Sequence, residues 1–173
     1  MTSNPDQLAE QGKQAFRNKS FVEAAELFKQ AADGYGAVQS DLMAAEMRNN
    51  ISVALLQAGR AEESLAAALE TDQVFAQAGD TKRQGMALGN QAAALEALNR
   101  YDEAVEKYDL AAALFSQAGE GELRALVMKS SAAVKLKTGK VTDSAFKMIG
   151  SLDANPHPGF FERILKFFLR FLK

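Results

Sequence analysis

Apolar and small positions recur along this chain at an interval of 40 residues, four times without a gap. A turn column runs through Lys19, Gly59, Asn99 and Gly139, and two positions later Phe21, Ala61, Tyr101 and Val141 are all apolar. A carboxylate column follows (Glu23, Glu63, Glu103, Asp143), and directly after it a compact one (Ala24, Ser64, Ala104, Ser144). Ala31, Thr71, Ala111 and Ser151 are again small, as are Gly12, Ser52, Ala92 and Ala132 upstream of the turn. Self-similarity at such a period is the signature of a repeat array, whose units bury their apolar faces against one another. An array of this kind offers a surface for holding partners and has no built-in chemistry.

Within each period the pattern predicts two helices. Asn4 is a good N-cap, with Pro5 at the first helical position and Gln7 three residues after the cap. The carboxylate column falls in the first turn of each second helix, where the helix dipole favours negative charge. The small columns mark close crossings of antiparallel helices, where only Gly, Ala or Ser lets the backbones approach. Phe28, Tyr108 and Met148, then Tyr35, Phe75 and Phe115, supply the bulk around them. Ala78-Gly79-Asp80 and Ala118-Gly119-Glu120 read as matching helix stops. The predicted helices are 5–18, 20–35, 40–58, 61–78, 81–98, 101–118, 121–138 and 141–153.

Composition narrows the class. With 173 residues, three Pro and no β-branched runs, the chain is predicted to be all-α. A formal net charge of -2 gives no reason to expect a nucleic-acid partner. The absence of Cys removes disulfides, thiolate metal sites and a cysteine nucleophile, and no cofactor or metal is expected. Residues 1–7 lack the pattern of a signal peptide and no apolar run is long enough to span a bilayer, so a cytoplasmic location is expected. The single histidine, His157, lies between two prolines, a solvated turn position rather than a general base. An enzyme is not expected.

The residues resemble the tetratricopeptide repeat family. The third repeat carries the resemblance best: Leu88-Gly89-Asn90, Ala92, Leu95, Asn99-Arg100-Tyr101, Glu103-Ala104, Tyr108 and Ala111. The first follows with Leu8, Gly12, Phe21, Ala24, Phe28 and Ala31. Repeats two and four depart from the pattern, with Ala61 and Ala68 in place of aromatics and Lys135 in an apolar slot, although Pro156 closes the fourth. The 40-residue length looks like the long variant of kinesin light chains and the Leu-Gly-Asn spindle adaptors. The resemblance covers residues 5 to about 156. It implies a right-handed α-solenoid of four helix-turn-helix repeats (about 5–39, 40–79, 80–119 and 120–153), followed by a linker over 154–159.

In that family the first helices line a concave groove that binds extended peptides. By position, the groove here would include Lys13, Phe16, Arg17, Asn49, Asn50, Val53, Leu56, Asn90, Lys129 and Lys137. Asn50 and Asn90 stand one period apart, and an Asn amide both donates and accepts, so it can grip a peptide backbone whatever its side chains. The same amides could instead cap helices or bond within the stack. The family's carboxylate clamp is not matched, because its slots read Ala9, Lys13, Asn50, Met86 and Asn90.

The period fails after Pro156. Five of the eleven Phe residues fall in the last fourteen positions. On a helix, Glu162, Arg163, Lys166, Arg170 and Lys173 share about 100° of arc. Phe160, Phe161, Ile164, Leu165, Phe167, Phe168, Leu169, Phe171 and Leu172 occupy the remaining side. A helix of this length, about 21 Å, cannot cross a hydrocarbon core of about 30 Å. A basic face opposite Phe and Leu predicts a helix lying in an anionic membrane interface. A cap on the last repeat, occupancy of the groove, or homo-oligomerisation would also cover those side chains. The reading is therefore a scaffold or adaptor for a protein or extended peptide, peripheral at a membrane, or alternatively a soluble scaffold or assembly factor.

Overall fold

The computed structural model describes residues 4–139, and among them every regular element is an α-helix. The order is α1 (Pro5–Arg17), α2 (Phe21–Ala37), α3 (Asp41–Gln57), α4 (Ala61–Ala68), α5 (Thr71–Gln77), α6 (Thr81–Ala97), α7 (Tyr101–Gln117) and α8 (Gly121–Lys137). The chain divides into two units, Met1–Val134 and Lys135–Lys173. The predicted helix 141–153, the linker and the 160–173 helix lie outside the described residues.

Helix ends explain the period. A left-handed residue occurs every 20 positions: Lys19, Gln39, Gly59, Gly79, Asn99, Gly119 and Gly139, all with φ between 58° and 76°. Each stop through Gly119 closes in the same way. The amide of the residue after the left-handed position donates to the carbonyl five back, as in Ser20 N to Ala15 O at 2.9 Å and Arg100 N to Leu95 O at 2.9 Å. The left-handed residue itself donates three back, as in Lys19 N to Phe16 O at 2.9 Å. This Schellman geometry satisfies carbonyls that would otherwise be orphaned at each helix end. Asn4 caps α1 as predicted, its Oδ1 accepting from Asp6 N at 2.9 Å.

Packing follows the columns. Successive helices contact one another along α1, α2, α3 and α4 and again along α5, α6 and α7. One core cluster gathers Leu8, Phe28, Tyr35, Met47 and Leu55; another gathers Leu88, Leu95, Tyr108, Phe115 and Val127. Between them sits a small cluster of Ala45, Phe75 and Ala87. Gly12 shows why its column is compact: a Cβ there would lie 2.7 Å from the Phe28 ring. Gly12, Ser52 and Ala92 are buried, whereas Ala132 on α8 is exposed.

The second repeat departs from the predicted continuous helix over 61–78. Leu69 adopts an extended conformation (φ -57°, ψ 141°) and Glu70 a left-handed one (φ 64°, ψ -8°), which splits the span into α4 and α5. The split leaves the Ala68 carbonyl without its helical donor, and buried side chains replace it. Gln91 Nε2 donates to Ala68 O at 3.0 Å and to Asp72 Oδ1 at 2.7 Å. Thr71 Oγ1 lies 2.8 Å from the same carbonyl and 3.0 Å from Asn49 Oδ1, and its one proton serves either acceptor.

Candidate functional site

The first helices carry the predicted groove residues, and the structure brings five of them to one place. Lys13, Phe16 and Arg17 on α1, with Asn50 and Val53 on α3, line a depression of about 330 Å³ together with Phe28 and Glu46. Their convergence follows from helical spacing: positions 13, 16 and 17, and likewise 46, 50 and 53, repeat at three and four residues and so share a face.

Charges of both signs surround this depression. Arg17 donates to Gln14 Oε1 at 2.7 Å and has no carboxylate partner among the described residues. Lys13 meets Glu10 at 2.6 Å on the exposed surface of α1, and this hydrogen bond holds the Glu10 carboxyl below its ordinary range. Glu46 is engaged elsewhere: its Oε2 accepts from Arg83 Nη1 at 3.0 Å. Arg83 also pairs with Asp80 at 2.6 Å and lies 5.3 Å from the centroid of the Phe75 ring. The Arg83 backbone amide and guanidinium lower the Asp80 pKa, and Asp80 raises that of Arg83. Lys13, Arg17 and Arg83 are thus matched in number by Glu10, Glu46 and Asp80, and Phe16 and Val53 supply the apolar part of the lining.

Asn50 and Asn90 are half-buried, and neither side chain makes a hydrogen bond among the described residues. Among the described residues every buried side-chain nitrogen and oxygen is partnered, so the unbonded amides of Asn50 and Asn90 are open to solvent. Neither amide thus caps a helix or bonds within the stack.

Two predicted groove residues face another way. Asn49 is buried at 7% exposure and meets Thr71, so it belongs to the interior of the second repeat. A residue adjacent to Asn50 projects about 100° around the helix, which turns it from the groove into the core. Lys129 occupies the same column as Asn49 and Gly89; a Cβ on Gly89 would lie 3.7 Å from Val127, so this column faces the next repeat. Lys129 itself is exposed on α8. Leu56 and Asn90 do not line the depression, and Lys137 is exposed in the last turn of α8. Phe160, Phe161, Arg163, Ile164, Leu165, Lys166, Phe167, Phe168, Arg170, Phe171, Leu172 and Lys173 lie outside the described residues.

Sequence reasoning passed over Glu46, one turn before Asn50 on the same face. It also passed over a depression of about 480 Å³ lined by Val22, Ala25, Ile51 and Leu55 with Glu23, Glu26, Lys29, Arg60 and Glu63. The carboxylate column is largely engaged locally: Glu63 and Glu103 pair with Arg60 at 2.5 Å and Arg100 at 2.6 Å, at the starts of their own helices. Among the described residues no group of three or more His, Cys, Asp or Glu is placed to hold a metal ion, and no helix is long and apolar enough to cross a membrane. No protein-family model matches the chain, and no curated protein matches it.

Proposed function

We propose that this chain is a non-catalytic protein–protein interaction scaffold of the tetratricopeptide type. Its four 40-residue repeats would stack as a right-handed α-solenoid and hold an extended peptide along the first helices. The observation that carries the reading is the pair Asn50 and Asn90, one period apart and half-buried, whose amides meet no hydrogen-bond partner among the described residues. A peptide backbone supplies the alternating acceptors and donors that such amides lack. The left-handed stops at every twentieth residue and the small column under Phe28 support the repeat assignment.

Residues 160–173 extend the proposal by their sequence. Four bases against one acid, opposite five Phe, three Leu and an Ile, suit attachment to an anionic bilayer surface.

Selection from a displayed library of random twelve-residue peptides on the full chain tests the groove. Enrichment should fall about tenfold in the Asn50→Ala, Asn90→Ala variant while its far-ultraviolet spectrum stays unchanged. Equal enrichment by both proteins removes the asparagine pair from the account. Co-sedimentation with phosphatidylserine vesicles tests the tail: changing Arg163, Lys166, Arg170 and Lys173 to Gln should abolish pelleting. Pelleting that the change leaves intact, or none by the unaltered chain, ends the membrane proposal.

A further inference from the structure

The apolar core is divided, and one element joins its two larger parts. The first cluster draws on α1, α2 and α3, and the second on α6, α7 and α8. Among the described residues only α4 contributes to both: Ala67 packs on the first cluster and Leu65 on the second. α4 is also the helix that stops early, at the Leu69–Glu70 break. α2 and α7 fill the corresponding spans with 17 unbroken residues each, so the break serves placement rather than length.

Buried polar groups hold the break from both sides. Asn49 approaches from α3 and Gln91 from α6, with residues 68–72 between them. Thr71 Oγ1 lies 3.0 Å from Asn49 Oδ1 and 2.8 Å from Ala68 O, the carbonyl that also accepts from Gln91 Nε2 at 3.0 Å. Asn49, Ala68, Thr71 and Gln91 are all buried, so the path from α3 to α6 never leaves the interior and its bonds face no competing water. Repeat one carries Ala9, Ala31 and Ile51 in these columns, and apolar contact of that kind is non-directional. Hydrogen bonds fix a direction as well as a distance.

Each end of this path is one residue from an open amide: Asn49 precedes Asn50, and Gln91 follows Asn90. A planar peptide unit joins each pair, so the turn of α3 or α6 that buries one amide also sets where its neighbour points. We infer that Thr71 and Gln91 are positioning residues. Through the break they fix α3 against α6, and so fix Asn50 against Asn90. Their role in binding rests on the scaffold reading above, whereas the joint between α3 and α6 does not.

The chain has no Cys, so nitroxides on Gln11→Cys and Arg124→Cys, both exposed sites, report the α1–α8 distance in the full chain by pulsed electron resonance. Gln91→Met keeps the side-chain length and removes the donor, and the distance distribution should shift or about double in width. Thr71→Val removes the hydroxyl at constant shape and should act in the same way, which keeps the joint testable where one variant fails to fold. Thr71→Ser, which keeps the hydroxyl, and Ser131→Ala, the matching change in repeat three, should leave the distribution unaltered. A twelve-residue peptide selected on the unaltered chain should bind the unlabelled Gln91→Met protein about tenfold more weakly and the Ser131→Ala protein equally well. An unchanged distribution in both Gln91→Met and Thr71→Val overturns the joint and leaves the scaffold reading standing. A changed distribution with unchanged peptide binding overturns the positioning role. Selection of no peptide by the unaltered chain overturns the scaffold reading and the positioning role together.

Discussion

The second helical span of repeat two and that of repeat three start from the same frame and end differently. Residues 101–117 form one unbroken helix, whereas residues 61–77 break at Leu69–Glu70. The difference traces to three positions. In repeat three, Gly89, Ala111 and Ser131 occupy them; in repeat two they are Asn49, Thr71 and Gln91. Repeat one carries Ala9, Ala31 and Ile51 there, and its α2 is also unbroken. Polar side chains thus appear where a backbone carbonyl has lost its helical donor. A buried carbonyl left unpaired costs about 1–3 kcal/mol, so the break and the polar trio go together.

The largest expected effect breaks this comparison at its centre. Gln91→Leu removes the donor to both Ala68 O and Asp72 and should destabilise the protein by about 2–3 kcal/mol in urea titrations. The matching change in repeat three, Ser131→Ala, removes one hydrogen bond to the exposed Asp109 and should cost about 1 kcal/mol or less. Equal losses would show that the broken helix does not depend on its side-chain donors.

A second contrast concerns helix starts. Asp80 caps α6 by accepting from Arg83 N at 2.9 Å, whereas Ser40 and Arg100 make no side-chain cap at α3 and α7. Asp80→Ala should cost about 1 kcal/mol at neutral pH. The folded state lowers the Asp80 pKa from its ordinary 3.8, so its contribution is present above that value and is lost as pH falls through the lower folded value. The gap between the two proteins should therefore narrow below pH 3.8. A gap that stays constant across the acid range would assign the loss to packing instead.

The smallest expected effect inverts sign between the repeats. Glu70 is held at φ 64°, a conformation that costs an ordinary residue about 1 kcal/mol, so Glu70→Gly should be stabilising by about 0.5 kcal/mol after the unfolded-chain entropy is counted. Leu110 is its counterpart in the unbroken α7, and Leu110→Gly should cost about 1 kcal/mol. Paired thermal melts report both.

Legibility in the sequence follows the same division. Helix ends fell within two residues of expectation wherever a left-handed stop repeats, because each stop is a local motif with its own hydrogen bonds. The break at Leu69 was not local. It depends on Gln91, which follows it by more than twenty residues, and its signal was three polar residues, Asn49, Thr71 and Gln91, where repeat one has Ala9, Ala31 and Ile51. At the site, Asn50 was readable from periodicity, while its neighbour Asn49 was assigned to the groove although it points inward to Thr71. The contact between Glu46 and Arg83 was hidden because it joins two helices, a pairing that only the fold creates.

The account turns on whether a peptide lies along the first helices. Titrating a twelve-residue peptide selected on the full chain into the ¹⁵N-labelled protein and following the side-chain amide signals of Asn50 and Asn90 tests this most directly. Both signals should shift together and saturate at the same peptide concentration, with backbone shifts confined to α1, α3, α6 and α8. Unmoved Asn50 and Asn90 signals, with shifts gathered at Val22, Glu26 and Lys29 on the opposite depression, would contradict it.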